Sequence, residues 1–220
     1  MSSIDKEFLR VKEEKSKTVI REALDRWNHR IGLSWDTGRD STLNLFLTRQ
    51  INKDLPVLFS DTTLHFEETY RFRDKLAKDW HLNLINILPD VSYEKVKGDK
   101  NRCCYHLRTL PLEKKIRELE LEALIAEKRW SIHATKVRED YFSKKNEHYN
   151  VNPLLHWADE DVRKFMKTNQ IPHNPLYLKR YHSIKCMPCA QPITTEVSDK
   201  DESSESSNKI KERLKALGYW

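Results

Sequence analysis

The sequence predicts an α/β protein built on a doubly wound, mostly parallel sheet, in the three-layer arrangement of the Rossmann type. Between residues 29 and 88, short apolar runs alternate with amphipathic stretches in the order strand, helix, strand, helix, strand. Such alternation is typical of parallel strands covered by helices. The composition agrees, since 38% hydrophobic residues in a chain of 220 suffice for one ordinary core.

The first half of the chain supplies most of the predicted elements. Apolar residues at helical spacing over 5–28 predict one amphipathic helix or two. The elements predicted after it are a strand over 29–35, a turn over 36–42, a helix over 43–51, a strand over 56–63, a helix over 68–80 and a strand over 82–88. Ligands of such sheets bind beyond the carboxyl ends of the strands, so the polar turns at 36–42 and 60–67 are the first candidate sites.

The second half is more mixed. It predicts a charged helix over 111–129, a helix within 154–171 and an irregular loop over 171–177. Serine and acidic residues dominate 195–208, which predicts a disordered linker before a terminal helix over 209–217. The expected organisation is an N-terminal helical segment (1–28), a main domain (29–194), a linker (195–208) and a C-terminal tail (209–220).

Composition excludes several classes of protein. Only four glycines occur, too few and too widely spaced for a dinucleotide fingerprint or a Walker loop. Apolar runs of about 20 residues, as membrane helices need, are absent, and charges occupy the N-terminal stretch where a signal peptide would be apolar. We therefore expect a cytoplasmic protein without a membrane partner. The formal net charge of +6 is too mild to establish nucleic-acid binding.

The four cysteines form two close pairs. Cys103 and Cys104 are adjacent, and Cys186 and Cys189 form a C-x-x-C motif. In a reducing compartment such cysteines favour a metal or redox site over disulfides. Thiolates bind zinc and iron–sulfur clusters alike, but zinc pairs are normally spaced by two to four residues, so the adjacent pair favours a [4Fe–4S] cluster. The alternatives are four buried thiols, or a zinc site with His106 as a substitute ligand.

A second motif is SWDTGRDST over 34–42, between a predicted strand and a helix. Glycine, arginine and hydroxyl residues at a helix N-terminus can bind an anion through free backbone amides and the helix dipole. The alternative is that Asp40 or Ser41 only caps the helix.

Four segments carry a family resemblance over roughly residues 28–193. SWDTGRDST resembles the S-x-S-G-G-K-D-S-T pyrophosphate loop of the adenine-nucleotide α-hydrolase-like fold, and residues 58–84 resemble its strand-loop-helix with the D-T-x-x-x-F-x-E-T pattern. The segments 102–116 and 153–193 resemble the Cys-Cys segment and the P-L-x-x-W-x-x-x-D-V…I-P-x-N-P-L-Y…C-x-P-C block of the adenylylsulfate and phosphoadenylylsulfate reductases.

The resemblance implies an enzyme of sulfur metabolism that binds adenylylsulfate or its 3′-phosphorylated form and is served by a thioredoxin-like reductant. Residues implied at the phosphate or sulfate end are Ser34, Gly38, Arg39, Asp40, Ser41 and Thr42, with Asp61 and Thr62 at the nucleotide pocket. The implied catalytic residues are Arg39, Asp40 and Arg129, the last from the family pattern I-x-G-x-R-x. The implied cluster ligands are Cys103, Cys104, Cys186 and Cys189.

The sequence departs from this family in two places. The reductase tail ends in E-C-G-L-H, whereas no cysteine follows Cys189 here, and the Lys-rich end with Tyr219 and Trp220 is similar to the small subunit of bacterial sulfate adenylyltransferase. In the loop, Asp36 and Thr37 replace a serine and a glycine, and Arg39 replaces a lysine with its charge kept. A carboxylate at position 36 would repel phosphate unless it faces away or meets Mg²⁺.

Two alternative functions follow from these departures. The first is an ATP pyrophosphatase that uses ATP with Mg²⁺ to adenylate a nucleic acid for sulfur insertion, with a cysteine desulfurase as sulfur donor. A group of basic residues suits that partner, although such charges also form solvated helix faces: Lys114, Lys115, Arg117, Lys128, Arg129, Lys136, Arg138, Lys144 and Lys145. The second is a non-catalytic nucleotide- and metal-binding module. A homo-oligomer is compatible with each of these functions.

Overall fold

The computed structural model describes residues 3–130, 140–181, 183–184 and 186–190. Within them six strands form one sheet in the order β3-β2-β1-β4-β6-β5, parallel except for the edge pair β5–β6. The strands are β1 (Ile31–Ser34), β2 (Val57–Ser60), β3 (Leu84–Ile87), β4 (Ala123–Ile125), β5 (Phe142–Lys145) and β6 (His148–Val151). The predicted mostly parallel α/β fold is confirmed.

Helices cover both faces of the sheet. They are α1 (Ser3–Trp27), α2 (Arg39–Arg49), α3 (Glu67–Trp80), α4 (Lys100–Cys104), α5 (Leu110–Glu118) and α6 (Asp159–Thr168). A large core joins α1, α2, α3 and α6 to one face, and a small one lies on the face against which α5 packs. In β4, Ala123 and Ile125 enter the large core while Leu124 enters the small one, as the two-residue period of a strand requires.

The helix predicted over 111–129 is wrong in its second half. Helix α5 ends at Glu118, Glu120 takes a left-handed φ of 52°, and the three residues of β4 are fully buried beside β1. Burial in the centre of the sheet overrides helical propensity here, since a short apolar run fits either structure. The β5–β6 hairpin was not predicted from the sequence, and it turns at Asn146 with a φ of 52°.

Two boundaries also differ. Helix α2 begins at Arg39 rather than at residue 43, because Gly38 is its N-cap. Helix α1 packs its apolar residues into the large core, so it is part of the main body. The predicted linker (195–208) and tail (209–220) lie outside the described residues. In the described part of the chain, no helix is long and apolar enough to span a bilayer.

Candidate functional site

The predicted site lies where the sheet changes its winding direction. From β1 the chain moves outward through β2 to β3, then crosses over to β4 on the other side of β1. The segments after β1 and β4 therefore separate at the carboxyl edge of the sheet and open a crevice, which is the usual ligand position in doubly wound folds. Ser34 ends β1 and Glu127 follows β4 at this edge.

The β1–α2 loop is held from inside by Asp36. Its Oδ1 accepts a hydrogen bond from the Gly38 amide at 2.9 Å and another from the Ser41 hydroxyl at 2.6 Å. A Cβ atom at Gly38 would lie 2.8 Å from this oxygen, so the carboxylate needs a glycine there. Asp36 thus accepts hydrogen bonds from donors that the N-terminus of a helix would otherwise offer to an anion.

Thr37 is strained within this loop. It has a φ of 67° and is fully buried, a conformation that is rare for a β-branched residue. Its hydroxyl accepts a hydrogen bond of 3.1 Å from the Asn174 amide, which also reaches Thr69 of α3 at 3.1 Å. Asn174 therefore connects the loop to α3 and to the 171–177 segment.

Arg39 and Tyr177 meet at the start of α2. The Arg39 amide donates to the Tyr177 hydroxyl at 3.0 Å, and the Arg39 guanidinium lies 3.9 Å from the centre of the same ring. Burial raises the pKa of Tyr177, which keeps the phenol protonated. The last residue of the motif faces inward, since the Thr42 hydroxyl accepts from the Trp35 indole at 3.1 Å.

Arg129 connects three elements around the crevice. Its Nε donates to Asp40 at 2.8 Å and its Nη2 donates to Asp159 at 3.1 Å. Burial raises the pKa of Asp40, and Arg129 opposes that rise. The arrangement ties the segment after β4 to the N-termini of α2 and α6.

Asp61 follows β2 at the same edge. Its carboxylate accepts from the Thr63 amide at 2.9 Å and from the Tyr70 hydroxyl at 2.7 Å, and it pairs with Arg73 at 3.3 Å. Burial acts to raise the pKa of Asp61, but the hydrogen bonds from Tyr70, Thr63 and Asn86 outweigh it and lower that pKa. The carboxylate is therefore ionised and fixed in place beside Thr62.

The two cysteine pairs lie close enough for their charges to interact. Burial, followed by the charges of Cys104, Cys186 and Cys189, raises the pKa of Cys103. The Cys186 sulfur lies 3.1 Å from the Thr62 hydroxyl, so the cysteines adjoin the end of β2.

By its chemistry, a set of four cysteine thiols fits an iron–sulfur cluster. No group of three or more His, Cys, Asp or Glu side chains in the described ranges is arranged to hold a single metal ion. One zinc ion would need sulfurs about 3.8 Å apart, given Zn–S bonds of about 2.3 Å. A cubane cluster interposes its irons and so takes thiols that are spread more widely.

Two charged residues of the crevice, Arg108 and Glu127, are not among the site residues predicted from the sequence. Arg108 sits in a π-helical turn (Tyr105–Thr109) between α4 and α5, a distortion that is frequent at functional sites. Its guanidinium lies 3.6 Å from Asp36 and 3.9 Å from Glu127, and it interacts electrostatically with Cys186 and Cys104. The π-turn has no signature in the sequence. Glu127, however, stands where the family pattern I-x-G-x-R-x has glycine, and that replacement was a usable signal.

Within the described part of the chain, the basic residues considered for a nucleic-acid partner do not form a continuous positive surface, because several of them pair with acidic residues. Lys114 pairs with Asp90, Lys115 with Glu118, and Arg117 with Glu147. Lys144 and Lys145 lie on the edge strand β5, where lysines discourage edge-to-edge association. Lys136 and Arg138 lie outside the described residues.

Comparison with known proteins identifies the family of this chain. Residues 30–192 match the model of the phosphoadenosine phosphosulfate reductase domain. The chain belongs to this family. It is 29% identical over 199 residues to "Adenosine 5'-phosphosulfate reductase 1" of Bacillus subtilis, covering 81% of each chain. It is 30% identical over 194 residues to the adenosine 5'-phosphosulfate reductase of Staphylococcus saprophyticus, covering 81% of this chain and 78% of the relative.

Solved structures share the fold of this family member. The phosphoadenylyl-sulfate reductase of Candida auris, in a phosphate complex, aligns with a TM-score of 0.69 at 20% identity, over 80% of this chain and 90% of that one. The FMN adenylyltransferase of Candida glabrata aligns with a TM-score of 0.70 at 17% identity, over 94% of this chain and 76% of that one. The adenine-nucleotide α-hydrolase-like fold expected from the sequence is confirmed.

Proposed function

We propose that the protein is a reductase-type enzyme that binds adenosine 5′-phosphosulfate, or its 3′-phosphorylated form, and passes the sulfate sulfur to a thiol. The observation that carries this proposal is the position of Arg108, which lies 3.6 Å from Asp36 of the β1–α2 loop and interacts electrostatically with one cysteine of each pair. The names of the curated relatives support the same substrate class.

Each part of the crevice has a role in this proposal. The loop (Ser34, Gly38, Arg39, Ser41 and Thr42) lies at the phosphate or sulfate end, and Arg108 supplies positive charge there. Asp61 and Thr62 lie at the nucleotide pocket. Arg129 holds Asp40 and thereby the N-terminus of α2. Preorganised donors of this kind stabilise charge that develops on a leaving group.

The proposed ligands of a [4Fe–4S] cluster are Cys103, Cys104, Cys186 and Cys189. When bound, the cluster would hold the four cysteines in place, and its positive environment, which includes Arg108, would help polarise the sulfate group. Thr62 supports this site through its hydroxyl beside Cys186, and Arg108 lies between the site and the loop.

All four cysteines of this sequence belong to that set, so we propose that a thioredoxin-like partner supplies the nucleophile. Its thiolate attacks the sulfate sulfur, an S–S bond forms, and the bond from sulfur to the bridging oxygen breaks. The adenosine phosphate leaves with that electron pair. A second thiolate of the partner then displaces sulfite, and the partner is left as a disulfide.

Calorimetry and product analysis test this proposal. We expect binding of adenylylsulfate or its 3′-phosphate, and release of sulfite and adenosine phosphate only when a dithiol partner is added. Protein purified without oxygen should contain about four irons and four sulfides per chain, and Cys186→Ser should lose iron while His106→Ala keeps it. A chain that binds no adenylyl nucleotide would be a non-catalytic module.

The lack of an in-chain thiol beyond the two pairs also favours one alternative, cleavage of ATP at its α-phosphate. That enzyme needs no nucleophilic cysteine, because a desulfurase can deliver the sulfur. Release of pyrophosphate from ATP and Mg²⁺, with no sulfite from adenylylsulfate, would replace the first proposal by this one.

A further inference from the structure

The charge of the anion end of the crevice is unusual for a loop that receives sulfate or phosphate. The pattern that the sequence resembles has serine at position 36 and glycine at position 127, and here both positions carry carboxylates. Each carboxylate lies within 4 Å of Arg108, at 3.6 Å for Asp36 and 3.9 Å for Glu127. Two acids thus face the cation that adjoins the loop.

Asp36 also occupies the loop's own donors. The Gly38 amide and the Ser41 hydroxyl both donate to its Oδ1, and the Arg39 amide is taken by the Tyr177 hydroxyl. The Asp36 side chain is only 30% exposed, and Asn174 holds the neighbouring Thr37 in its left-handed conformation. The carboxylate is therefore built into the loop at a defined place.

We propose that Asp36 is a specificity-determining residue whose carboxylate acts as an internal anion, so that the loop accepts a ligand end of low charge and rejects polyphosphate. An incoming anion must compete for the Gly38 and Ser41 donors and for Arg108. Repulsion from the Asp36 carboxylate grows with the charge of that anion. A sulfate ester carries one negative charge on the group that enters the loop, whereas the triphosphate of ATP carries several.

This inference rests on the proposed function for its physiological ligand, adenylylsulfate, and predicts that ATP is a poor competitor. The role of Asp36 in the loop can nevertheless be tested without turnover, because inorganic anions can bind to the same donors. Pyrophosphate and sulfate are suitable probes, since they differ in charge and need no adenosine pocket.

The experiment measures the dissociation constants of inorganic pyrophosphate and sulfate by calorimetry, for wild type, Asp36→Ser and Asp36→Asn. Asp36→Asn keeps an oxygen acceptor for the Gly38 amide, so it preserves the loop if the serine variant fails to fold. Asp54→Ser is the matched control, because it removes one exposed carboxylate before β2, at the opposite edge of the sheet.

We expect both Asp36 variants to bind pyrophosphate about tenfold more tightly or better, to gain less for sulfate, and to lose the gain when Arg108→Ala is added. Asp54→Ser should match wild type. Unchanged pyrophosphate affinity would overturn the proposal. So would weaker pyrophosphate binding with Mg²⁺ present, which would make Asp36 a cation ligand. Failure of the proposed function would be detected in a separate measurement, as a lack of binding or turnover when wild type is given adenylylsulfate.

Discussion

At the scale of single residues, Arg129 belongs to a family motif and is also part of a buried network of charges. The pattern around it predicts a catalytic arginine, whereas the structure places its guanidinium in the interior between Asp40 and Asp159. Only 3% of the side chain is exposed, so this cation is paired with carboxylates in the interior. Through Asp40 it fixes the position of the α2 N-terminus.

We expect Arg129→Ala to lower the free energy of unfolding by about 3–5 kcal/mol, because Asp40 would be left buried without its cation. Arg163→Ala is the matched control, since Arg163 also pairs with Asp159 but at the surface, and it should cost less than about 1 kcal/mol. Urea unfolding monitored by tryptophan fluorescence measures both. Equal losses in the two variants would contradict the burial argument.

Asn174 is the residue that locks the loop. It is fully buried and donates to Thr37 and Thr69 while its oxygen accepts from the Leu176 amide at 3.0 Å. Asn174→Ala should cost about 2–4 kcal/mol, because these buried groups lose their partners. Exposed Asn169, which donates to one helical carbonyl, provides the control variant and should cost well under half as much. Thermal and urea unfolding of both variants test this difference.

At the scale of elements, α1 is attached to the rest of the molecule by a buried ion pair. Lys12 donates to Asp161 at 2.5 Å and to the His156 carbonyl at 2.8 Å, and its side chain is 1% exposed. Asp161 also accepts from the Ala158 amide at the start of α6. One charge pair therefore fixes the orientation of the first helix against the last described one.

Lys12→Met should destabilise the protein by about 3–5 kcal/mol, because it leaves the Asp161 carboxylate buried and unpaired. The double variant Lys12→Met/Asp161→Asn should recover part of that loss, since it removes the orphaned charge and keeps an acceptor for Ala158. Arg10→Ala, on an exposed pair of the same helix, is the control. If the double variant were less stable than the single one, the orphaned charge would not be the cause.

The elements also show where patterns mislead. In the segment after α5, the spacing of apolar residues continues to predict a helix, but three of its residues form the central strand β4. This spacing cannot distinguish these structures over so few residues. The order strand, helix, strand at 29–88 is unambiguous because each run is flanked by polar turns, and there the predicted elements and the structure agree.

At the scale of the whole molecule, buried histidines make stability depend on pH. His156 is 1% exposed, its Nε2 donates to the Lys12 carbonyl, and its Nδ1 accepts from the Tyr141 hydroxyl. Burial lowers the pKa of His156 to about 3, and burial also lowers the pKa values of His65 and His148. His156 is therefore a neutral, packed residue of the interior.

Because the folded pKa of His156 lies below the unfolded value, protonation favours the unfolded chain. Its contribution is complete above about pH 6.5 and is lost as pH falls toward 3, by about 2 kcal/mol between pH 7 and pH 5. Urea unfolding at both pH values should show this loss in wild type and in the exposed control His29→Gln. In His156→Gln the loss should shrink by that amount. An unchanged pH difference would contradict the assignment.

The sequence by itself determined the fold class, the family and the residue types of the site, because these depend on local patterns: alternating elements, paired cysteines and a loop before a helix. The tertiary structure decided which charges meet. Asp36, Arg108 and Glu127 are separated by 72 and 19 positions along the chain, yet they converge because the crossover from β3 to β4 brings the carboxyl edges of β1 and β4 together. Attraction between distant charges leaves no period in a sequence, so their pairing emerges only once the sheet has formed.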